Sequence, residues 1–359
     1  MRKFLYKIVL AANIVFALSL ILSYLAVHIN PGTFAFPAFF GLAYPYLLLI
    51  NIFFVIGWAM LLKFEALISV IVIAAGITHL SNYIRFAKRD GNKTGSFSVL
   101  SYNVRLFNFF ESPATGSEKK ILDFIRKQDP DIICLQEFFV NGVPSQKEAE
   151  IKRLLGGKYQ SHMKVVGSGK NRYYGIITLS KYPIIKKGEL IHPKSSSLSV
   201  YTDIVIKKDT FRLFNNHLQS FRLKRMERSF LEEIVATDDN KGEGDVKIIS
   251  RSLKRGFVQR AEQAIALKKK VEASAYPVIV VGDFNDTPVS YSYRKIRKGL
   301  NDAFVNSGYG AGFTYKGNYP ANRIDYILYD NTFESAWFSI IKVKYSDHYP
   351  VMAWLKIRS

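Results

Sequence analysis

The chain has 359 residues, 48% hydrophobic and 22% charged, with a formal net charge of +21 at pH 7. This composition excludes an intrinsically disordered chain, and the length excludes a small domain stapled by disulfides. The single cysteine, Cys134, has no partner for a disulfide or a thiolate metal cluster. It is predicted to be a buried core residue.

The apolar residues are concentrated in the amino-terminal part of the chain. No Lys, Arg, Asp or Glu occurs from Ile8 to Leu62, and a second charge-free run covers Ala66 to Ile84. A bilayer-spanning helix needs about 20 apolar residues. We therefore predict a transmembrane region over residues 1–84 with about three helices, and we expect the spans at residues 8–27, 39–62 and 66–84.

The third span is the weakest of the three. It carries Thr78, His79, Ser81 and Asn82 near its end, so a helix lying in the membrane surface is the alternative. The first span is longer than the apolar region of a signal peptide, and two more apolar runs follow it. We therefore expect it to be retained.

A polar, basic linker is predicted over residues 85–95, and a globular domain over residues 96–359. Residues 1–90 carry a net charge of +5 and the rest carry +16. Short apolar runs alternate with helical patterns in the domain, which favours an α+β architecture of packed sheets with helices outside. The predicted elements are the strand Phe97–Val104, the helix Ser117–Gln128, the strands Asp131–Leu135 and Gly175–Leu179, the hairpin Thr202–Ile206 with Phe211–Leu218, the helix Phe257–Glu272, and the strands Val278–Val281, Ile324–Tyr329 and Tyr349–Ile357.

Residues 221–253 interrupt this pattern with many charges of both signs. We interpret them as an inserted, solvated surface excursion. An insertion that grips the substrate is the alternative.

Polar residues cluster at the predicted carboxyl ends of the apolar strands in six short motifs, which is where a layered α/β domain normally presents its site. The motifs are SYNVR (101–105), LQE (135–137), NHL (216–218), GDFND (282–286), RIDYIL (323–328) and SDHYP (346–350).

These residue types suit the hydrolysis of a phosphate ester. That reaction needs a divalent ion to neutralise charge, a group that activates water, and donors for the phosphate oxygens. Hard oxygen ligands suit Mg²⁺, and Glu137 with Asn103 beside it is predicted to hold the ion. Asp347 is a candidate second or water-mediated ligand.

In this order, the six motifs resemble the endonuclease/exonuclease/phosphatase superfamily, the deoxyribonuclease I-like group that also includes apurinic-site endonucleases, neutral sphingomyelinases and inositol polyphosphate phosphatases. The resemblance covers Phe97 to about Lys356 and suggests a membrane-anchored, bacterial-type member. It implies a four-layered α/β/β/α sandwich behind the transmembrane helices, and hydrolysis of a phosphoester with Mg²⁺ or Mn²⁺.

The resemblance also implies roles for the water-activating and substrate-binding groups. Asp283 would orient or deprotonate the attacking water, and Asn285 would donate to the phosphate. Asn103 and Arg105 are further candidates for binding the substrate.

Two histidines complete the implied site. His348 would contact the phosphate, and Asp325 would hold its ring in one tautomer. His217 would donate to the leaving oxygen or to the phosphate. The presence of both histidines favours a phosphodiesterase over a phosphomonoesterase.

The sequence therefore predicts a membrane-tethered, divalent-metal-dependent phosphoesterase that cleaves phosphodiester bonds in the manner of a nuclease. A phospholipid, sphingomyelin-type or inositol-phosphate phosphoesterase is the alternative, and a non-catalytic membrane scaffold is the alternative of another class. The expected partners are the lipid bilayer and a phosphodiester substrate, either nucleic acid or a lipid headgroup. No protein partner is inferred.

Basic residues flank the predicted spans equally on the two sides, so loop charge does not set the orientation. Because the first helix usually sets orientation and a long domain translocates with little regard to its charge, we expect a multi-pass cell-membrane protein with an extracytoplasmic catalytic domain. If the third apolar run only lies on the membrane surface, the domain is expected in the cytoplasm.

Overall fold

The computed structural model describes residues 1–87, 91–110, 116–192, 195, 197–221, 243–317 and 322–358. An amino-terminal group of helices packs against a two-sheet domain. Two of these helices, α1 (Arg2–Leu25) and α2 (Phe36–Met60), are long and apolar enough to cross a membrane. At about 1.5 Å per residue each exceeds the roughly 30 Å hydrocarbon core of a bilayer. The predicted spans 8–27 and 39–62 fall largely within them.

The third helix differs from the prediction. Helix α3 (Ala66–Ala75) ends before Gly76, a short helix α4 (Ile77–Leu80) follows, and Ile84–Arg85 forms strand β1. One continuous helix over 66–84 is therefore wrong. Gly lowers helix stability, and the polar residues after it compete for backbone hydrogen bonds, so the regular helix stops early. Ten residues span only about 15 Å.

Buried polar side chains join the three helices. Asn13 Nδ2 donates to Ser69 Oγ at 2.7 Å, and Ser69 Oγ donates to Asn51 Oδ1 at 2.8 Å. Trp58 Nε1 donates to Asn13 Oδ1 at 2.9 Å. Hydrogen bonds between apolar helices select one register, because a shifted helix would leave these groups unpaired. The helices therefore form a specific bundle.

The rest of the described chain forms two six-stranded sheets, one short strand that pairs with β1, and the helices that cover the sheets. The strands are β2 (Phe97–Asn103), β3 (Ile132–Asn141), β4 (Gln160–Gly169), β5 (Arg172–Ser180), β6 (Ile184–Leu190), β7 (Leu198–Ile206), β8 (Asp209–His217), β9 (Val278–Asp283), β10 (Asn301–Asp302), β11 (Gly310–Ala311), β12 (Asp325–Tyr329), β13 (Phe333–Ile340) and β14 (Val351–Ile357). The helices are α5 (Ser117–Gln128), α6 (Pro144–Leu154), α7 (Glu243–Glu272), α8 (Tyr291–Arg297) and α9 (Ala303–Ser307), with a 3₁₀ turn at Arg105–Asn108.

The first sheet has the strand order β10-β12-β9-β8-β7-β6 and the second has β13-β14-β2-β3-β5-β4. Their inner faces share one core, in which Val99 and Cys134 of the second sheet join Leu213 and Val281 of the first. Helices α5 and α6 cover the outer face of the second sheet, and α7 and α8 cover that of the first. The four-layered α+β architecture is thus confirmed, with Cys134 buried in its core.

Several elements differ from the predicted ones in extent. Helix α5 matches, but the strand after Asp131 continues to Asn141 as β3. Helix α6 and strands β4, β6 and β13 were not predicted, because their patterns mix polar and apolar residues. Most of the predicted 221–253 insertion lies outside the described residues, and its last part belongs to α7.

The junction between bundle and domain is tightly packed. Strand β1 pairs with β11, so the start of the predicted linker is tied into the domain. The Arg323 guanidinium donates to the Asn82 carbonyl at 2.9 Å while pairing with the buried Asp302 carboxylate. At Gly41, a Cβ atom would lie 2.3 Å from the Val289 carbonyl oxygen. Gly41 is required for this close approach of two backbones.

We predict that Gly41→Val lowers the Tm of the detergent-solubilised full chain. The added side chain must push the bundle away from the domain, and such overpacking lowers the free energy of unfolding by about 1–3 kcal/mol. For a domain of this size, each kcal/mol lowers Tm by roughly 2–4 °C. The matched control is Gly57→Val in the same helix, where a Cβ meets nothing within 4 Å. Equal Tm values for the two variants would contradict the packed junction.

Candidate active site

Strand register brings three of the predicted site residues into one row on the first sheet. Asp283 at the end of β9 pairs in parallel register with His217 at the end of β8 and in antiparallel register with Asp325 at the start of β12. Asp325 reaches the same edge as the other two because β12 runs in the opposite direction. These three side chains are therefore neighbours by backbone geometry alone.

The second sheet contributes Asn103 and Glu137 from the neighbouring strands β2 and β3. A bulge between Leu135 and Phe138 interrupts the β3–β5 pairing, and Glu137 has a left-handed φ of 49°. A bulge re-aims the side chain it carries, and strained backbone of this kind is concentrated at functional sites. The Asn103 amide nitrogen donates to Asp283 Oδ2 at 2.9 Å and to Glu137 Oε1 at 3.3 Å, and so links the two sheets.

Asp283 is the buried centre of the site, with no exposed surface. Its Oδ1 accepts from the Asn285 backbone N–H at 2.7 Å, and its Oδ2 accepts from the Asn285 amide at 3.2 Å. Burial raises the pKa of Asp283 to about 6, an effect opposed by the neighbouring His348 and strengthened by Asp325. A carboxyl group with this pKa is partly protonated just below neutral pH, which suits a group that exchanges a proton with water.

His348 is held by Asp325. Its Nδ1 lies 2.9 Å from Asp325 Oδ2, and its Nε2 lies 3.8 Å from Asp283 Oδ2. Burial lowers the pKa of His348, but the charges of Asp325 and Asp283 outweigh burial and raise that pKa to about 10. The ring therefore carries its proton at neutral pH, with Nδ1 committed to Asp325 and Nε2 turned toward the site.

His217 faces the two acidic groups from the other side. Its Nε2 lies 3.5 Å from Glu137 Oε1 and 3.8 Å from Asp283 Oδ2, and this buried nitrogen has no hydrogen-bond partner among the described residues. Buried polar atoms are rarely left unpaired. An unpaired nitrogen between two carboxylates indicates a place for a water molecule, an ion or a substrate oxygen.

Two predicted residues form a pair at the rim of this cluster. Arg105 Nε lies 3.3 Å from Asp347 Oδ2, and the Arg105 backbone N–H donates to Asn103 Oδ1 at 2.9 Å. The Asn103 oxygen thus already accepts a hydrogen bond, which favours Asn103 as a donor to the carboxylates over a metal ligand. Asn285 likewise uses its amide on Asp283 and on the Leu218 carbonyl at 3.0 Å.

Sequence reasoning missed the residues that support these groups. Ser346 Oγ donates to the Asn103 carbonyl at 2.9 Å and lies 3.3 Å from the His348 backbone nitrogen, which donates to it. Thr314 Oγ1 accepts from the Asp325 backbone N–H at 3.1 Å, and the Tyr315 ring packs edge-on against His348 with centroids 5.0 Å apart. Ser346 stands inside the SDHYP motif, so its position was a usable signal, whereas Thr314 and Tyr315 lie in a turn-rich stretch without one.

Two neighbours of the site have structural partners. Arg323, which stands two residues before Asp325, pairs with Asp302 and leaves Asp325 to His348. Asp286 of the GDFND motif lies 3.1 Å from the buried Arg260 of α7. Asp302 and Asp286 thus each lie beside a buried arginine.

The donor set fits a hard divalent cation near Glu137. The Glu137 side chain is 30% exposed and pairs with no Lys or Arg in the described parts of the chain. Asp283, Asp325 and His348 also present ligand atoms within 4.8 Å of one another. In that second cluster, however, His348 Nδ1 and Asp325 already bind each other, so Glu137 is the better carboxylate for Mg²⁺.

Comparison with known proteins defines the class of this fold and site. The sequence model of the Endonuclease/Exonuclease/phosphatase family matches residues 100–348, which contain the six motifs almost completely. The chain belongs to this family and therefore to a group of hydrolases that act on phosphoester bonds. A second model, of a domain of unknown function, matches residues 6–83.

Individual relatives are distant. Protein angel of Drosophila melanogaster is 25% identical over 268 residues, covering 67% of this chain and 69% of that protein. The human Nocturnin catalytic domain with bound sulfate superposes with a TM-score of 0.54 at 16% identity, covering 75% of this chain and 96% of that one. A family member from Bacteroides vulgatus superposes with a TM-score of 0.54 at 17% identity over 73% and 99% of the two chains. These structures share the fold of the domain.

We predict that Asp325→Asn lowers kcat for phosphoester hydrolysis by roughly 10- to 100-fold, the usual effect of losing a carboxylate that orients a site histidine. Asparagine keeps the size but removes the charge that keeps His348 protonated. Steady-state kinetics and Tm should be measured together, with the exposed Asp209→Asn as the control. A wild-type kcat in Asp325→Asn would show that the pair has no role in the reaction.

Proposed function

We propose that the protein is a membrane-tethered, divalent-metal-dependent phosphodiesterase with nuclease-like chemistry. The observation that carries this proposal is the convergence of Asp283, the Asp325–His348 pair and the unpaired His217 nitrogen on one small volume beside Glu137. A phosphoester hydrolase needs a water-activating base and donors aimed at the phosphate within a few ångströms of each other.

The residues have distinct roles in this proposal. Asp283 accepts the proton of the attacking water, and Asn285 and Asn103 hold its carboxylate in place. Protonated His348 donates from Nε2 to a phosphate oxygen while Asp325 fixes its ring. His217 donates to the leaving oxygen, and Arg105, paired with Asp347, supplies positive charge at the rim.

Glu137 would hold Mg²⁺ or Mn²⁺, with Asp347 as the further candidate ligand, while Asn103 donates to the carboxylates and does not bind the ion. The ion, when bound, neutralises negative charge on the phosphoester oxygens. The left-handed backbone of Glu137 supports this assignment, because strained backbone conformations are concentrated at functional sites.

The tether is supported by the surface of the helices. Only 22% of the most apolar stretch of α1 is buried within the protein, and only 28% of the most apolar stretch of α2. Core helices of soluble proteins are mostly buried, whereas these helices expose large apolar faces that must be shielded from water. The length of both helices fits shielding by a lipid bilayer.

The substrate is proposed to be a polyanionic phosphodiester, because the net charge of the domain is positive. A lipid or inositol-phosphate headgroup is the second candidate, favoured by the packing of the domain against apolar helices. A panel of single-stranded DNA, duplex DNA, RNA, sphingomyelin and phosphoinositides separates these substrates. A non-catalytic scaffold predicts no turnover of any of them.

We predict that Glu137→Gln reduces Mg²⁺-dependent hydrolysis of bis-p-nitrophenyl phosphate by roughly 100-fold or more, because a bound metal contributes several kcal/mol to stabilising the transition state. The reaction is measured with added Mg²⁺, with Mn²⁺ and with excess chelator. Glu334→Gln, the same change at an exposed residue of β13, should keep full activity. Full activity of the wild-type protein in chelator would overturn the metal assignment.

We propose the orientation with the amino terminus in the cytoplasm and the domain outside. Because Gly41 contacts Val289, the α1–α2 loop lies on the domain side of the bundle and the α2–α3 turn lies at the far end. An impermeant thiol reagent should therefore label cysteines introduced at Thr33 and Lys208 in intact cells, and at Lys63 only after permeabilisation. Native Cys134 is fully buried and gives no background. Labelling of the Lys63→Cys variant alone in intact cells would show that the orientation is the reverse of the proposed one.

A further inference from the structure

A cavity of about 520 Å³ lies where the helical bundle meets the domain. One wall comes from the turn after α1 and from α4, through His28 and His79. The other comes from Pro288 to Leu300, which includes α8. None of the predicted site residues lines this cavity, so it is separate from the active site.

The lining of the cavity is strongly basic. Arg294, Lys295, Arg297 and Lys298 line it from the domain, and no Asp or Glu does so among the described residues. Arg294 lines the cavity together with His28 and His79 of the opposite wall. These four basic residues stand within α8 or directly after it, so their positive charges lie together on one wall and would attract an anion into the cavity.

The walls are held in place by polar contacts. Arg297 Nη1 donates to Asn82 Oδ1 at 2.7 Å and to the Tyr293 hydroxyl at 2.8 Å. The Tyr293 hydroxyl in turn donates to the buried Asp302 carboxylate at 2.7 Å. His79 stacks on Tyr24, with ring centroids 5.1 Å apart. A cavity with fixed walls loses little entropy when it binds a ligand.

The position of the cavity indicates the source of the anion. It lies beside the carboxyl end of the apolar helix α1, whose exposed face would be covered by acyl chains, and this is the level of the phosphate groups of a bilayer. We propose that this cavity binds the phosphate-bearing headgroup of an anionic membrane phospholipid. The inference rests on the membrane tether proposed above. A bound headgroup would fix the domain against the membrane surface, next to the loop that follows Asp283.

The test uses the full chain in a neutral detergent. Phosphatidylglycerol, phosphatidylcholine and inorganic phosphate are titrated separately, and Tm is followed, since a ligand that binds the folded state raises it. We expect phosphatidylglycerol to raise Tm by several degrees and the other two to have little effect. In the double variant Arg294→Gln, Lys298→Gln the apparent affinity for phosphatidylglycerol should fall about thirtyfold, since two cationic groups near the headgroup are lost.

The control variant Lys207→Gln, Lys208→Gln removes the same charge from the exposed β7–β8 turn and should bind as the wild type does. If the double variant has a lowered lipid-free Tm, the single variants Arg294→Gln and Lys298→Gln replace it, and each should weaken binding about fivefold. Equal affinity in the control and cavity variants would overturn the site. An equal response to inorganic phosphate would overturn the lipid assignment.

Two further measurements separate this inference from the proposed function. Extraction of the protein from membranes by alkaline carbonate would refute the tether, and with it the lipid source. Activity on bis-p-nitrophenyl phosphate tests the enzyme alone. A protein that is active and membrane-embedded but insensitive to phosphatidylglycerol would refute only the headgroup site.

Discussion

The arrangement of the site depends on one buried carboxylate, Asp283. A charged group without exposed surface is stable only when donors and cations surround it. Asn103 from the second sheet, Asn285 from its own loop and the two histidines supply these partners. Because the partners come from both sheets, the carboxylate can be buried only when the sheets pack in this one arrangement, and the site forms as the sandwich forms.

This constraint also separates the tasks of the neighbouring acids. Asp325 is committed to His348, Asp302 to Arg323, and Asp286 lies beside Arg260. Glu137 is partly exposed and forms no ion pair with a lysine or arginine among the described residues. The carboxylates thus have different environments. The proposed proton acceptor Asp283 and the proposed metal ligand Glu137 can therefore stand close to each other.

Much of this arrangement could be predicted from the sequence because each motif stands at the end of a recognisable apolar strand. The pairing of Asp325 with His348, and the closeness of Asn103 and Glu137, match the sequence interpretation. The ion pair between Arg323 and Asp302, which lie 21 positions apart, could not be predicted, because such a pair depends on tertiary packing that the sequence does not show. The prediction of the third span was wrong for a local reason. Apolar composition predicts burial in lipid or protein, but it does not predict that the helix ends before Gly76.

The helical bundle and the domain share one packed junction, so the amino-terminal helices are part of the architecture of the folded protein. In the proposed reaction, the buried Asp283 carboxylate acts on water. The most direct test is single-turnover hydrolysis of a phosphodiester by Asp283→Asn at saturating Mg²⁺, with Tm measured on the same sample. The account predicts a rate lower by about 10²- to 10⁴-fold with the folded structure retained. A folded variant that keeps the wild-type rate would contradict it.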